Sequence, residues 1–126
     1  MPGLEVLRGK RYISLETYRR SGQPVRTPVW FVEDNGRLFF YSMADAGKVK
    51  RIRNNSRVSL AASDARGRVS EGVVWLRGRA NILPQPDADR AHALLVKKYG
   101  WQRRLLDFFW SISGRKPRAA LEIILD

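Results

Sequence analysis

Short segments in which apolar and polar residues alternate make up much of the chain. Ile13, Leu15 and Thr17 alternate with Tyr, Ser and Glu, the period of two that is typical of a half-buried strand. The Asp-Asn-Gly sequence at 34–36 is a hairpin signal. Gly78 predicts a bulge inside a longer strand. The pattern predicts six strands, at residues 12–17, 25–32, 38–42, 57–63, 73–83 and 119–125.

Three segments show helical spacing instead. In the segment 45–54, Ala46, Val49 and Ile52 fall on one helix face, and Asn-Asn-Ser then ends the helix. Two later helices are predicted at 87–99 and 101–113, each followed by glycine. The polar stretch 64–72 predicts a loop. Six strands with hairpin turns and few helices predict a mainly β fold, an antiparallel barrel with peripheral helices.

Length and composition favour one soluble domain over residues 1–126. The mass is 14.5 kDa, and the 44% hydrophobic and 29% charged residues are close to globular averages. No apolar run approaches the roughly 18 residues of a membrane helix, and residues 1–11 lack the apolar region of a signal peptide. We therefore expect a cytoplasmic protein that does not bind membranes.

Few residue types for covalent or metal chemistry are present. The chain has no Cys and one His, His92, which excludes disulfides and thiolate sites. Zinc sites and hydrolytic triads are disfavoured for the same reason, and we expect no metal.

Positive charge dominates the sequence. Its 24 Lys and Arg against 12 Asp and Glu give a net charge of +12, which favours an anionic partner. The densest basic segment, 48–57, has five cations and no acid. Lys48 lies in the predicted first helical turn, where free N–H groups and the helix dipole attract an anion, and Gly47 allows close approach. A phosphate or carboxylate fits there; the alternative is a solvated helix face.

A second segment, Arg26-Thr27-Pro28-Val29-Trp30-Phe31, combines polar backbone with flat aromatic side chains. Pro28 cannot donate a ladder hydrogen bond, so we expect it at a sheet edge or a bulge, where nearby backbone groups are free for a ligand. This arrangement suits a planar heterocycle; the alternative is that Trp30 and Phe31 are core residues.

Together these segments resemble the pyridoxamine 5'-phosphate oxidase-like split β-barrel superfamily, most closely its F-420-dependent (deazaflavin) oxidoreductase group. The resemblance covers nearly the whole chain, from Tyr12-Ile13-Ser14-Leu15 through Thr27-Pro28-Val29-Trp30 and Gly47-Lys48-Val49-Lys50-Arg51 to Arg77-Gly78-Arg79-Ala80. It implies a six-stranded antiparallel split β-barrel of the FMN-binding type. It also implies a homodimer in which the second subunit completes the cofactor site.

The resemblance assigns roles to residues of both segments. In the family, the Lys-bearing segment after the third strand binds the cofactor phosphate, and the Thr-Pro-Val-Trp strand runs beside the ring. By resemblance, Ser42, Lys48, Arg51 and Arg53 are phosphate or tail contacts, and Arg26, Thr27, Pro28, Val29 and Trp30 line the ring. The implied reaction is hydride transfer between cofactor and an apolar unsaturated small molecule. No catalytic residue is assigned.

Several alternatives stay open. The polyglutamate tail of coenzyme F-420 suits a chain of charge +12, which favours F-420 over FMN. FMN in the same fold, or a member that only binds its cofactor, is the nearest alternative. A basic barrel that binds nucleic acid would need exposed aromatic residues, whereas most aromatics here lie in apolar runs. In the helix 101–113, Leu106 and Trp110 fall outside the main apolar stripe and should be covered by a partner subunit, a neighbouring helix or a substrate.

Overall fold

The computed structural model describes residues 3–43, 46–84 and 118–126, together with residues 90, 91, 93, 94, 97 and 98. A 3-10 helix spans Leu4–Leu7, and one α-helix, α1, spans Gly47–Asn54. The strands are β1 (Tyr12–Tyr18), β2 (Pro24–Trp30), β3 (Val32–Asp34), β4 (Arg37–Met43), β5 (Arg57–Ser63), β6 (Leu76–Ile82) and β7 (Arg118–Leu125).

The six described residues between 90 and 98 are helical, as the predicted helix 87–99 requires. The rest of that helix, with His92, lies outside the described residues. So do Asp45 and the predicted helix 101–113 with Leu106 and Trp110. Among the described residues, no helix has the length and apolar character needed to cross a bilayer.

All strand pairs are antiparallel and form one sheet in the order β2-β1-β5-β6-β7-β4-β3. The strands at the two ends of this order, β2 and β3, are consecutive in sequence and are joined by Phe31 alone. The sheet must therefore curl until its ends meet, which confirms the predicted mainly β, split-barrel fold class. Pro28 lies on the edge strand β2, as predicted.

The structure has seven strands where the sequence predicts six, because the predicted strand 25–32 breaks at Phe31. Before this residue the chain pairs with β1, and after it with β4. Phe31 is 1% exposed and packs in the main core, whereas Val32 packs in a smaller cluster with Leu94. The break therefore transfers the chain from one end of the sheet to the other.

The predicted strand 73–83 and its bulge need correction. β6 begins only at Leu76, because the segment before it turns, with the Val73 N–H donating to the Ser70 carbonyl. Gly78 pairs in regular register on both sides, so the bulge prediction is wrong. A Cβ at Gly78 would lie 2.5 Å from the Ile124 carbonyl oxygen, so glycine is needed for close strand approach.

Two buried side chains of α1 anchor this helix in the main apolar core of the barrel. Val49 is 0% and Ile52 4% exposed, and both belong to the main apolar cluster with Leu15 and Leu60. Burial of such side chains contributes about 1.5–3 kcal/mol each. The apolar face predicted for this helix therefore fixes its orientation, and with it the directions of Lys48 and Arg51.

Candidate functional site

The N-terminus of α1 has hydrogen-bond donors that find no acceptor among the described residues. Its N-cap residue is Ala46, and among the described residues no side chain caps the helix. The N–H groups of Val49 and Lys50 donate to the Ala46 carbonyl at 3.1 and 3.2 Å. Within the described part of the chain, nothing accepts the N–H groups of Gly47 and Lys48. These donors lie at the positive end of the helix dipole and are available to an anion.

Arg51 is folded back toward this helix end. Its Nε donates to Oγ1 of Thr17 at 2.7 Å, and Thr17 is fully buried on β1. Its guanidinium lies over Gly47, where a Cβ atom would come within 2.8 Å of Nη1. Gly47 was predicted to allow close approach of a ligand; in the structure it makes room for Arg51. The glycine and the threonine thus hold a guanidinium beside the first helical turn.

The described charges around this point are all positive. Burial, followed by the charge of Arg51, lowers the pKa of Lys48; burial, followed by the charge of Arg19, lowers the pKa of Arg51. Of the carboxylates that the structure describes, none lies within 4 Å of these three cations. We call Lys48, Arg51, Arg19 and the two free N–H groups the cationic corner. Its repulsion is relieved when an anion binds.

Thr27 supplies an unsatisfied polar atom on β2. Its Oγ1 is buried and has no hydrogen-bond partner among the described residues. Thr27 pairs with Leu15 and so faces the interior, two residues along from Val25, the register partner of Thr17. Two strand residues span about 6.8 Å, which places Thr27 near the threonine that holds Arg51. Buried hydroxyls are normally hydrogen-bonded, so this one fits a polar ligand atom.

Arg26 and Pro28 face the other side of β2. The Nε of Arg26 is 2.8 Å from Oε2 of Glu16, and its guanidinium lies 4.6 Å from the ring centroid of Trp75. Pro28 contacts the loop after β5, since a Cβ on Gly67 would be 3.3 Å from its Cδ. The structure therefore gives Arg26 protein partners and does not bring it to the cationic corner.

The remaining predicted ring contacts are packed. Val29 is 7% exposed in the main core, so only its backbone is available to a ligand. Trp30 is half-buried and its ring centroid lies 6.0 Å from that of Tyr12. It also packs in the smaller apolar cluster with Val32 and Leu94.

Two predicted phosphate contacts, Ser42 and Arg53, make no described contact with the cationic corner. Ser42 is 4% exposed, and its hydroxyl donates to the Met43 carbonyl at 3.3 Å. Arg53 is exposed in the last turn of α1, about 140° around the helix from Lys48. A cation there is favourable toward the helix C-terminus without any ligand. The structure thus brings Lys48 and Arg51 together and leaves Arg53 outside.

Sequence reasoning missed three residues near these segments: Thr17, Arg19 and Lys98. The Nζ of Lys98 donates to the Phe31 carbonyl at 2.8 Å and lies 3.6 Å from the Phe31 ring centroid. Burial of the ammonium lowers the pKa of Lys98 to about 8, and the charge of Glu33 acts in the opposite direction. The Lys-Lys pair near the end of the predicted helix 87–99 was the available signal. It did not indicate the contact with Phe31.

Comparisons with known proteins give one consistent result. A family model described as pyridoxamine 5'-phosphate oxidase matches residues 4–124. No curated protein sequence matches the chain. Similar solved structures include an FAD-binding protein from Mesorhizobium loti, with a TM-score of 0.65 and 23% identity over 97% of this chain and 84% of that one.

Two further structures share the fold. An F420 reductase has a TM-score of 0.65 and 18% identity, covering 100% of this chain and 94% of that one. A haem storage protein from Vibrio cholerae has a TM-score of 0.70 and 13% identity, covering 97% of this chain and 86% of that one. At these identities the likeness shows a common fold.

Proposed function

Since the chain belongs to the pyridoxamine 5'-phosphate oxidase family, we propose that it is an oxidoreductase that binds a phosphate-bearing tricyclic redox cofactor. The cofactor is coenzyme F-420, with FMN as the alternative, and the substrate is an apolar unsaturated small molecule. The observation that carries this proposal is the cationic corner, which joins three cations to helix N–H groups and has neither an acceptor for these groups nor an acid among the described residues.

The described residues fit such a cofactor at both ends. Lys48, Arg51 and the N–H groups of Gly47 and Lys48 would hold its phosphate, because charge-assisted hydrogen bonds are among the strongest in proteins. The orphan Oγ1 of Thr27 would meet a polar atom at the edge of the ring. The backbone of β2 between Thr27 and Trp30 would run beside the ring, whereas the side chains of Pro28 and Trp30 face the other side of the strand. The bound cofactor supplies the hydride-transfer chemistry.

Charge favours F-420 within this proposal. The net charge of +12 complements the phosphate and the polyglutamate tail of F-420 better than the single phosphate of FMN. Affinity for F-420 should therefore fall clearly as salt is added, because exposed charges are screened beyond about 8 Å at physiological ionic strength.

The proposed functional unit is a cytoplasmic homodimer, because a barrel of this size offers only a shallow groove to the ring. A second subunit would complete the site. Small-angle scattering at working concentration should give a mass near twice 14.5 kDa. A monomeric mass under the conditions in which cofactor binds would contradict this part of the proposal.

Nucleic-acid binding is not favoured. Each aromatic side chain that the structure describes is buried or half-buried, so none is offered on a strand face for base stacking.

The sharpest test replaces Lys48 with methionine, which keeps the aliphatic stem and removes the charge. Lys48→Met should weaken F-420 binding by roughly 1.5–3 kcal/mol, the range for a hydrogen bond to a charged group. Quenching of F-420 fluorescence measures the affinity, and FMN is titrated in parallel. Lys50→Met is the matched control, since Lys50 is exposed on the same helix.

Four outcomes are distinguishable. Loss of affinity in Lys48→Met with little change in Lys50→Met supports the phosphate site. Equal effects of the two substitutions would mean that only the overall charge matters. Tight FMN binding without F-420 quenching would replace F-420 by FMN, and binding of neither would refute the proposed function.

A further inference from the structure

A cleft of about 540 Å³ lies between the 3-10 helix and the segment that follows β5. Its volume falls in the range of small-molecule sites, roughly 300–1,000 Å³. No residue that lines it belongs to the cationic corner or to the ring segment on β2. The cleft is therefore separate from the site of the proposed function.

One part of the cleft is apolar. Valine side chains contribute to it from both walls, namely Val6, Val69, Val73 and Val74. Val74 is 40% exposed and is one of two large hydrophobic residues exposed in the described part of the chain. An apolar ligand group placed there would remove this surface from water, which is favourable in proportion to the apolar area buried.

The described polar residues of the cleft have a net charge of +1. Asp64 and Arg68 neutralise each other, because Oδ2 of Asp64 is 2.8 Å from Nε of Arg68. Oδ1 of Asp64 also accepts the backbone N–H groups of Arg66 and Arg68, and these bonds lower the pKa of Asp64. Lys10 has no carboxylate within 4 Å among the residues that the structure describes. One cation is thus left for one anionic group.

The wall that carries Asp64 and Arg68 is held in place before any ligand binds. The Asp64 N–H donates to the Arg68 carbonyl and the Gly67 N–H to the Asp64 carbonyl, both at 3.0 Å. Gly67 has a φ of 82°, which favours glycine, and its backbone lies against Pro28 of β2. A wall fixed in this way loses little conformational entropy when a ligand binds.

We propose that this cleft binds a small monocarboxylate with an apolar body, such as an aryl or medium-chain alkyl carboxylate. The carboxylate pairs with the Lys10 ammonium, and the body lies on the valines. Neither a hydrophilic anion such as inorganic phosphate nor a neutral apolar molecule uses both halves of the cleft.

The test uses the cofactor-free full chain and calorimetric titration with 2-naphthoate. Its neutral analogue 2-naphthylmethanol and inorganic phosphate serve as comparison ligands. Lys10→Met should weaken naphthoate binding about fivefold, as expected for a partly exposed ion pair, and should leave naphthylmethanol unchanged. Val73→Asp should weaken both. Lys97→Met is the matched control, because Lys97 is an exposed lysine outside the cleft.

Absence of saturable naphthoate binding, or equal affinity in Lys10→Met and the wild type, would overturn the proposal. Loss of naphthoate binding in Lys48→Met rather than Lys10→Met would place the ligand in the cationic corner and would also overturn it. Because no cofactor is present, these results are independent of whether F-420 or FMN binds. Circular dichroism of each variant separates loss of binding from loss of fold.

Discussion

Replacing Gly47 with alanine should weaken cofactor binding without unfolding the protein. The new Cβ would lie 2.8 Å from Nη1 of Arg51, whereas ordinary contact begins at 3.4 Å. The obstructing atom is the far end of a flexible side chain, so the helix can keep its backbone and the guanidinium moves instead. The perturbation therefore acts on the site through Arg51.

The size of the effect follows from this geometry. The guanidinium must shift by roughly 0.6 Å, which strains its 2.7 Å hydrogen bond to Thr17 and moves it from the proposed phosphate position. Losing part of one charge-assisted hydrogen bond should cost about 1 kcal/mol of binding free energy, or about fivefold in affinity. Stability should change by less than about 1 kcal/mol, because alanine favours the helix while the Thr17 contact weakens.

A double-mutant cycle with Arg51→Ala provides the assay. F-420 or FMN affinity is measured by fluorescence titration, and stability by urea unfolding, for both single variants and the double variant. If Gly47→Ala acts through Arg51, it should have no further effect on affinity in the Arg51→Ala background, since coupled residues are not additive. Additive losses would refute the reasoning, as would a Gly47→Ala variant that binds as tightly as the wild type.

Three further predictions concern stability. Gly78→Ala should lower the free energy of unfolding in urea by roughly 1–3 kcal/mol or more, because the new Cβ would lie 2.5 Å from the Ile124 carbonyl oxygen, a backbone atom that cannot move aside easily. The control Asn81→Ala, at an exposed position of the same strand, should change this free energy by no more than about 0.5 kcal/mol. The pKa of Lys98 is lowered from 10.5 to about 8, so the unfolded chain binds more protons between these values; stability should rise with pH across this window, and this rise should be missing in Lys98→Met. Inorganic phosphate should raise the Tm of the wild type more than that of Lys48→Met, and equal shifts would count against a phosphate site at α1.

The elements that the sequence predicts correctly depend on local chemistry. Asn35 and Gly36 have φ values of 53° and 78°, the left-handed pair that a tight hairpin needs, and the Asp-Asn-Gly sequence indicated it directly. The helix over Gly47–Asn54 follows from the spacing of Val49 and Ile52, both of which are buried. In each case the residues that determine the structure are neighbours along the chain.

The prediction errors occur where the structure depends on strands that are distant in the sequence. The period of two continues up to Phe31, and only the change of partner from β1 to β4 breaks the strand there. Gly78 looked like a bulge because an isolated glycine in a strand has several explanations, and the one that applies is a carbonyl on β7. Local patterns carry no information about which strand lies opposite.

The candidate site also combines features set by neighbouring residues with features set by contacts between distant residues. Lys48 could be predicted because its position in the first helical turn is a local property. The hydrogen bond from Arg51 to Thr17 spans 34 residues, and the contacts of Arg26 with Glu16 and Trp75 depend on the packing of β1 and the loop after β5. The sequence placed both Arg51 and Arg53 on one helix as candidate contacts. Thr17 distinguishes them.

The core itself positions the two cations of α1. Lys48 immediately precedes Val49, and Arg51 immediately precedes Ile52. The charged pair therefore has the same three-residue spacing as the buried pair, and each cation lies about 100° around the helix from its buried neighbour. Fixing Val49 and Ile52 in the barrel therefore fixes the direction of both cations at once. The apolar burial of Val49 and Ile52 offsets the repulsion between Lys48 and Arg51, which remains until an anion binds. Burial of the ammonium, followed by this repulsion, lowers the pKa of Lys48. A helix without these core contacts could rotate and turn its charges toward water. Because Val49 and Ile52 prevent this rotation, the cationic corner persists.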